Sequence, residues 1–211
     1  MDIQQINSNP LKDSYQSIDK PSKETLIKDR NSKFFGYAFP VLNQDHIIKA
    51  LDIIKIKHPS ANHYCYAWQL GIENKSSRYN DDGEPKHTAG IQIYGQIKAY
   101  ELTNILLVTV RYFGGTKLGK AGLIKAYKNS AKITIENSTI LNKTINVIYQ
   151  LNYKYDLTNK VTNILKENNV KIISQKFEIG CECRISIRKK DSEFFLKMIK
   201  NIHEIKIFKC D

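Results

Sequence analysis

The sequence predicts an α+β protein of two domains. Three observations carry that expectation. Near the middle of the chain, a strongly apolar strand-like run ends in two glycines and gives way to a helical period. The last stretch, about 65 residues, alternates cleanly between strand and helix signals. The length is 211 residues with 41% apolar content, which suits two small cores and lies above the disordered range.

Taken in order, residues 1–24 are polar, hold Pro10 and Pro21 and show no sustained period, so a mobile arm is expected there. The first domain is expected over residues 25–137. Residues 33–41 are aromatic-rich and extended. Residues 44–57 place Ile47, Ile48, Ala50, Leu51 and Ile54 on a helical stripe that His58-Pro59 ends. Residues 63–71 read as a buried strand, and residues 72–87 as a polar connection with a turn at Asp82-Gly83 and Pro85. Thr88 is the expected N-cap of a helix that buries Ile93, Ile97 and Tyr100. Residues 104–113 form the most apolar strand, expected at the centre of its sheet. Gly114-Gly115 break it, and a helix follows over residues 119–136.

A linker is expected over residues 138–145 and the second domain over residues 146–211. Its signals read strand 146–156, helix 157–168, strand 170–178, strand 181–189, helix 192–203 and strand 204–209. That βαββαβ order is the ferredoxin-like split unit.

The formal charge of +12 favours acidic partners such as nucleic acid or the ribosome. The longest apolar run, Ile105 to Val108, is far short of the roughly 20 residues a membrane span requires, so no membrane association is expected. The N-terminus has no basic start or apolar stretch, so no secretory signal is expected. Cys65, Cys181, Cys183 and Cys210 suit neither a disulfide framework nor a zinc site, and reduced thiols in the cytoplasm are expected. Cys181 and Cys183 stand two apart and should share one face of a strand.

Charge is concentrated rather than spread. Residues 111–132 contain Arg111, Lys117, Lys120, Lys125, Lys128 and Lys132 and no acid. Gly114 and Gly115 supply backbone freedom where a strand ends, and the free N–H groups of a helix start attract anions. The expected anion or nucleic-acid site is therefore Arg111, Gly114, Gly115, Lys117, Lys120, Lys125 and Lys128, with Leu123, Ile124, Tyr127 and Ala131 packing inward. Tyr112 and Phe113 offer rings that stack on bases. Gly114, Gly119 and Lys120 nearly match a P-loop, but Ala121 stands where a magnesium-binding Ser or Thr belongs. No cofactor and no metal are expected.

The second polar concentration is Asp81, Asp82 and Glu84 in a Gly-Pro turn, read as turn-formers and caps, with Asp81 or Glu84 available to pair with Arg111. His63 and Cys65 should face one way, each read foremost as a core residue. An alternative reading makes His63, Asp82 and Glu84 the catalytic groups of a hydrolase or transferase acting on a phosphorylated small molecule. A further alternative is a protein-interaction adaptor, with the second domain's sheet docking a protein partner.

These motifs together resemble the IMPACT/YigZ family. The likeness rests on Ser32-Lys33-Phe34, on His63 and Cys65 with Ala67-Trp68, on Asp81 to Pro85, on Thr88 to Gly90, and on Arg111 to Gly115 continuing through Gly119 and Gly122 to Tyr127. The resemblance implies a first domain similar to ribosomal protein S5 and a ferredoxin-like second domain, together similar to domains IV and V of elongation factor G. It also implies a role in regulating translation and carries over no catalytic residues. Eukaryotic members hold an additional N-terminal partner-binding domain; the arm expected here is short for it, so that domain's partner is not expected to carry over.

Overall fold

Residues 13–210 are described by the structure, a computed structural model. They divide into two compact units: Tyr15–Lys143, and Thr144–Asp211 joined by the segment ending at Ser14. The arm expected over residues 1–24 lies outside the described residues up to residue 12. Beyond that point the chain is ordered: β1 (Ser14–Ile18) ends on a fully buried Ile18, and β2 (Thr25–Asp29) begins just past the expected arm. Five-residue strands are too short to leave a legible period.

The first unit continues with β3 (Ser32–Pro40), α1 (Gln44–Lys57), β4 (His63–Leu70), β5 (Ser76–Asn80), α2 (Gly90–Ala99), β6 (Ile105–Tyr112), α3 (Gly119–Glu136) and β7 (Ile140–Thr144). Five strands form an antiparallel sheet in the order β2-β3-β6-β4-β5, so the most apolar strand is central, as expected. Both faces of β6 are covered. Ile105, Leu107, Ile93, Ile97, Leu123 and Tyr127 belong to one core cluster, shared with α2 and α3. Leu106, Val108 and Val110 join Ile47, Ala50 and Ile54 of α1 in another. This two-sided burial explains the unbroken apolar run.

Asn43 caps α1 by accepting the His46 N–H at 2.9 Å. The stripe on α1 is narrower than expected. Ile47, Ala50 and Ile54 are buried at spacings of 3 and 4, whereas Ile48, about 100° around the helix from Ile47, is 56% exposed.

Two strands lie where connections are expected. β5, inside the polar stretch 72–87, pairs only with β4 and buries nothing, so no alternation marks it. β7, inside the expected linker, pairs with β1 in a two-stranded sheet.

The second unit runs β8 (Asn146–Tyr153), α4 (Thr158–Glu167), β9 (Lys171–Phe177), β10 (Cys181–Arg188), α5 (Lys189–Lys200) and β11 (Lys206–Cys210). Its antiparallel sheet has the order β11-β8-β10-β9. Alternate residues of β8 and β10 point into one core: Tyr149, Leu151 and Tyr153 beside Cys181, Cys183, Ile185 and Ile187, against Val161, Leu165, Phe195 and Ile199 of the helices. Cys181 and Cys183 thus share a face and are free thiols packed as small hydrophobes. Among the described residues, no helix is long and apolar enough to cross a membrane.

Candidate functional site

The acidic turn after β5 is occupied by its own structure. Asp81 Oδ1 accepts the N–H groups of Ala89 and Gly90 at 3.0 and 2.8 Å, and Oδ2 accepts that of His87 at 2.9 Å. Asp81 therefore satisfies the free donors at the start of α2 from eight and nine residues upstream. The expected cap, Thr88, instead donates its hydroxyl to the Pro85 carbonyl at 2.6 Å. Asp82, at a left-handed φ of 42°, accepts the Tyr64 N–H at 2.6 Å. Its carbonyl accepts from His63 Nδ1 at 2.8 Å. Both aspartates hold backbone donors.

Glu84, the third acid, turns inward and is 8% exposed. Arg111 of β6 donates from Nη1 to Glu84 Oε1 at 2.6 Å, and the Tyr127 hydroxyl of α3 donates to the same oxygen at 2.8 Å. Arg111 Nη2 donates to Ser32 Oγ at 3.3 Å, and its guanidinium lies between the rings of Phe34 and Phe113, 5.5 and 5.4 Å from their centroids. Here the structure corrects the sequence reading. Arg111, expected in the anion-docking face, is 5% exposed and already neutralised by Glu84.

His63 and Cys65 do face one way, toward this turn. The Cys65 thiol donates to the Asp81 carbonyl at 3.0 Å and is fully buried. Burial pushes the thiol above its ordinary range, which opposes thiolate formation and hence a nucleophilic role. His63 Nδ1 donates to Asp82, so Nε2 faces Glu84 at 3.9 Å. The alternative catalytic set of His63, Asp82 and Glu84 is thus brought together in space. Its carboxylates are engaged by Tyr64, Arg111 and Tyr127.

The basic turn has a different character. An ideal Cβ on Gly114 would sit 2.1 Å from the Asn31 carbonyl carbon, so only glycine lets this turn lie against that backbone. Gly115 adopts φ +84°, a conformation that side chains disfavour. At the head of α3, Leu118 occupies the N-cap with no side-chain hydrogen bond, and the first turn holds no acid. Lys117, Lys120, Lys125 and Lys128 are exposed there, while Lys132 is exposed and 3.7 Å from Glu136. Leu123, Tyr127 and Ala131 pack inward as expected; Ile124 is 37% exposed and flanks the lysines instead.

A second polar chain crosses the α1 side of the sheet. Tyr37 donates its hydroxyl to Glu24 at 2.5 Å, and its oxygen lies 2.5 Å from His58 Nε2. His58 Nδ1 lies 3.1 Å from the Tyr112 hydroxyl. Burial lowers the His58 pKa, and burial together with the Glu24 carboxylate raises that of Tyr37. Ser32, His58 and Tyr37 are site residues that the sequence does not mark as such. Their partners lie up to 82 residues away in the chain, and no local period or charge pattern announces them.

The Impact N-terminal domain family model matches residues 30–135. The IMPACT family member YigZ of Escherichia coli is 31% identical over 151 residues, 70% of this chain and 74% of that one. The IMPACT family member YvyE of Bacillus subtilis is 26% identical over 182 residues, 86% of this chain and 83% of that one. Among solved structures, the crystal structure of a hypothetical protein superposes with a TM-score of 0.71 at 24% identity, covering 95% of this chain and 99% of its own. That likeness extends the shared fold across both units.

Proposed function

This chain belongs to the IMPACT family, and on that premise we propose that it binds RNA or the ribosome and regulates translation. The observation that carries the reading is the head of α3. Lys117 and Lys120 stand exposed at the helix start, where the N-cap residue Leu118 makes no side-chain hydrogen bond, and Lys125 and Lys128 stand exposed further along the helix, with no acid between residues 111 and 132. Exposed ammonium groups next to a helix N-terminus suit a line of phosphates. The strand orders support a first domain of the S5-like kind and a ferredoxin-like second domain, the latter through its βαββαβ order and all-antiparallel neighbours. Free thiols at all four cysteines suit the cytoplasm.

RNA affinity should fall steeply with salt, because binding releases condensed counterions. The variant Lys117→Gln/Lys120→Gln/Lys125→Gln should reduce the log–log salt slope by about 1 for each lysine–phosphate pair it removes. Titration of labelled RNA and ribosome co-sedimentation at two salt concentrations measure this. Undetectable RNA binding at low salt, or a triple variant that binds like the parent, would sink the assignment.

A further inference from the structure

Beside the basic turn, Asn31, Lys33, Phe35, His58, Tyr112 and Phe113 line a cleft of about 350 Å³. Three features suit it to a flat, partly polar ring. Phe113 is 44% exposed, yet its backbone N–H is fixed by Asn62 Oδ1 at 2.7 Å and its ring lies against the buried Arg111 guanidinium. An exposed ring held in place loses little entropy when a base stacks on it. Phe35 packs edge-on against Tyr112, with centroids 5.7 Å apart, and closes the apolar part of the wall. Lys33 and Asn31 are exposed and bring a cation and an amide to the opening.

The polar chain behind the cleft sets the direction of its hydrogen bonding. Tyr37 has one proton, and it goes to the Glu24 carboxylate. Its contact with His58 must then be His58 Nε2–H donating to the Tyr37 oxygen. A neutral imidazole with its proton on Nε2 is an acceptor at Nδ1, so the Tyr112 hydroxyl donates to His58. The Tyr112 oxygen is left with lone pairs and no proton to offer, and presents an acceptor. The cleft also adjoins the lysine face, because Asn31 both lines it and supplies the backbone on which Gly114 rests.

We propose that this cleft takes one unpaired nucleobase of single-stranded RNA, stacked on Phe113, and that the Tyr112 oxygen selects bases carrying an exocyclic amino group. This deepens the RNA-docking reading and rests on it: the lysines hold phosphates, and the cleft reads a base. Cytosine and uracil are the discriminating pair, since they share size and stacking but exchange donor for acceptor at the 4-substituent, amino in cytosine and carbonyl in uracil, and in the opposite sense at N3.

The test titrates the full chain with fluorescent C-only and U-only RNA about 12 nucleotides long, within the span such binding faces cover. The parent protein should bind the C oligonucleotide tighter by about 5-fold, the low end for one discriminating hydrogen bond. Tyr112→Phe should bring C affinity down to the U level, and Phe113→Leu should weaken both. The Lys117→Gln/Lys120→Gln/Lys125→Gln variant should weaken both in parallel and keep their ratio. Equal binding of C and U by the parent overturns the cleft while leaving lysine docking intact. A preference that survives Tyr112→Phe overturns the role of Tyr112. Binding of neither oligonucleotide at low salt overturns the docking reading and the cleft together. The parent's C-to-U ratio decides the matter even if a variant fails to fold.

Discussion

Glu84 is the counterion of a guanidinium buried between two rings, so its neutral isostere would leave a charge stranded in the core. Glu84→Gln should lower unfolding free energy by about 3–5 kcal/mol, measured by urea denaturation. Adding Arg111→Met should recover part of that loss, because removing both charges also removes the uncompensated one. His58 gives a prediction about pH. Its pKa is lowered in the folded state by burial, so below its ordinary value near 6.5 the unfolded chain takes up protons that the folded chain resists. This contribution to stability is fully present above about pH 6.5 and declines as pH falls toward the lowered folded value. Glu24 adds in the same direction: hydrogen bonds from Lys57 and Tyr37 lower its pKa, and the stability they confer is lost on acidification. Unfolding free energy should therefore slope downward with acid, through the His58 contribution below about pH 6.5 and the Glu24 contribution below its ordinary value of 4.5. Measured from about pH 7.5 to 3.5, His58→Gln should flatten the upper part of that slope.

At the scale of elements, α2 depends on a cap that is not its neighbour. Asp81→Ala would free the N–H groups of His87, Ala89 and Gly90 together, and should cost about 1–2 kcal/mol. Amide hydrogen exchange should accelerate at those three residues before any change in β6. The glycine turn has the opposite sensitivity, since it lacks room rather than a partner. In Gly114→Ala the new methyl meets the Asn31 backbone, so either the turn or the β2–β3 connection must shift. A loss of RNA affinity larger than that of the triple lysine variant is the expected outcome, because Gly114 begins the turn that leads into the lysine-bearing helix and the Asn31 it rests on lines the cleft.

At the scale of the molecule, each core cluster draws on one unit only: Ile18 through Ile135 for the first unit's two clusters, and Val147 through Ile207 for the second's. The fragment 15–143 should therefore fold alone, seen by circular dichroism and cooperative unfolding. It contains the docking lysines and the whole cleft, and should bind RNA with the salt slope of the full chain. A fragment that folds but does not bind would move the docking surface to the second unit.

The long elements were legible because each signals itself locally. The glycine break after Phe113, the apolar run of β6 and the helical spacing of Val161–Leu165 and Phe195–Ile199 are short-range patterns, and one buried face suffices to write them. The short strands β1, β5 and β7 were not, since pairing partners rather than their own periodicity hold them. The chain's order also announced the basic turn, and Lys117, Lys120, Lys125 and Lys128 stand exposed where helical spacing puts them. Whether a charge faces water is another matter. Arg111 belongs to the same basic run, and only the packing of Glu84, Ser32, Phe34 and Tyr127 around it turned it from a docking residue into a buried counterion. Sequence determined which elements form and where charge gathers, because those follow from neighbours in the chain. Tertiary structure decided which charges are neutralised and which way the Tyr37–His58–Tyr112 protons point, because those depend on partners that the chain brings together from a distance.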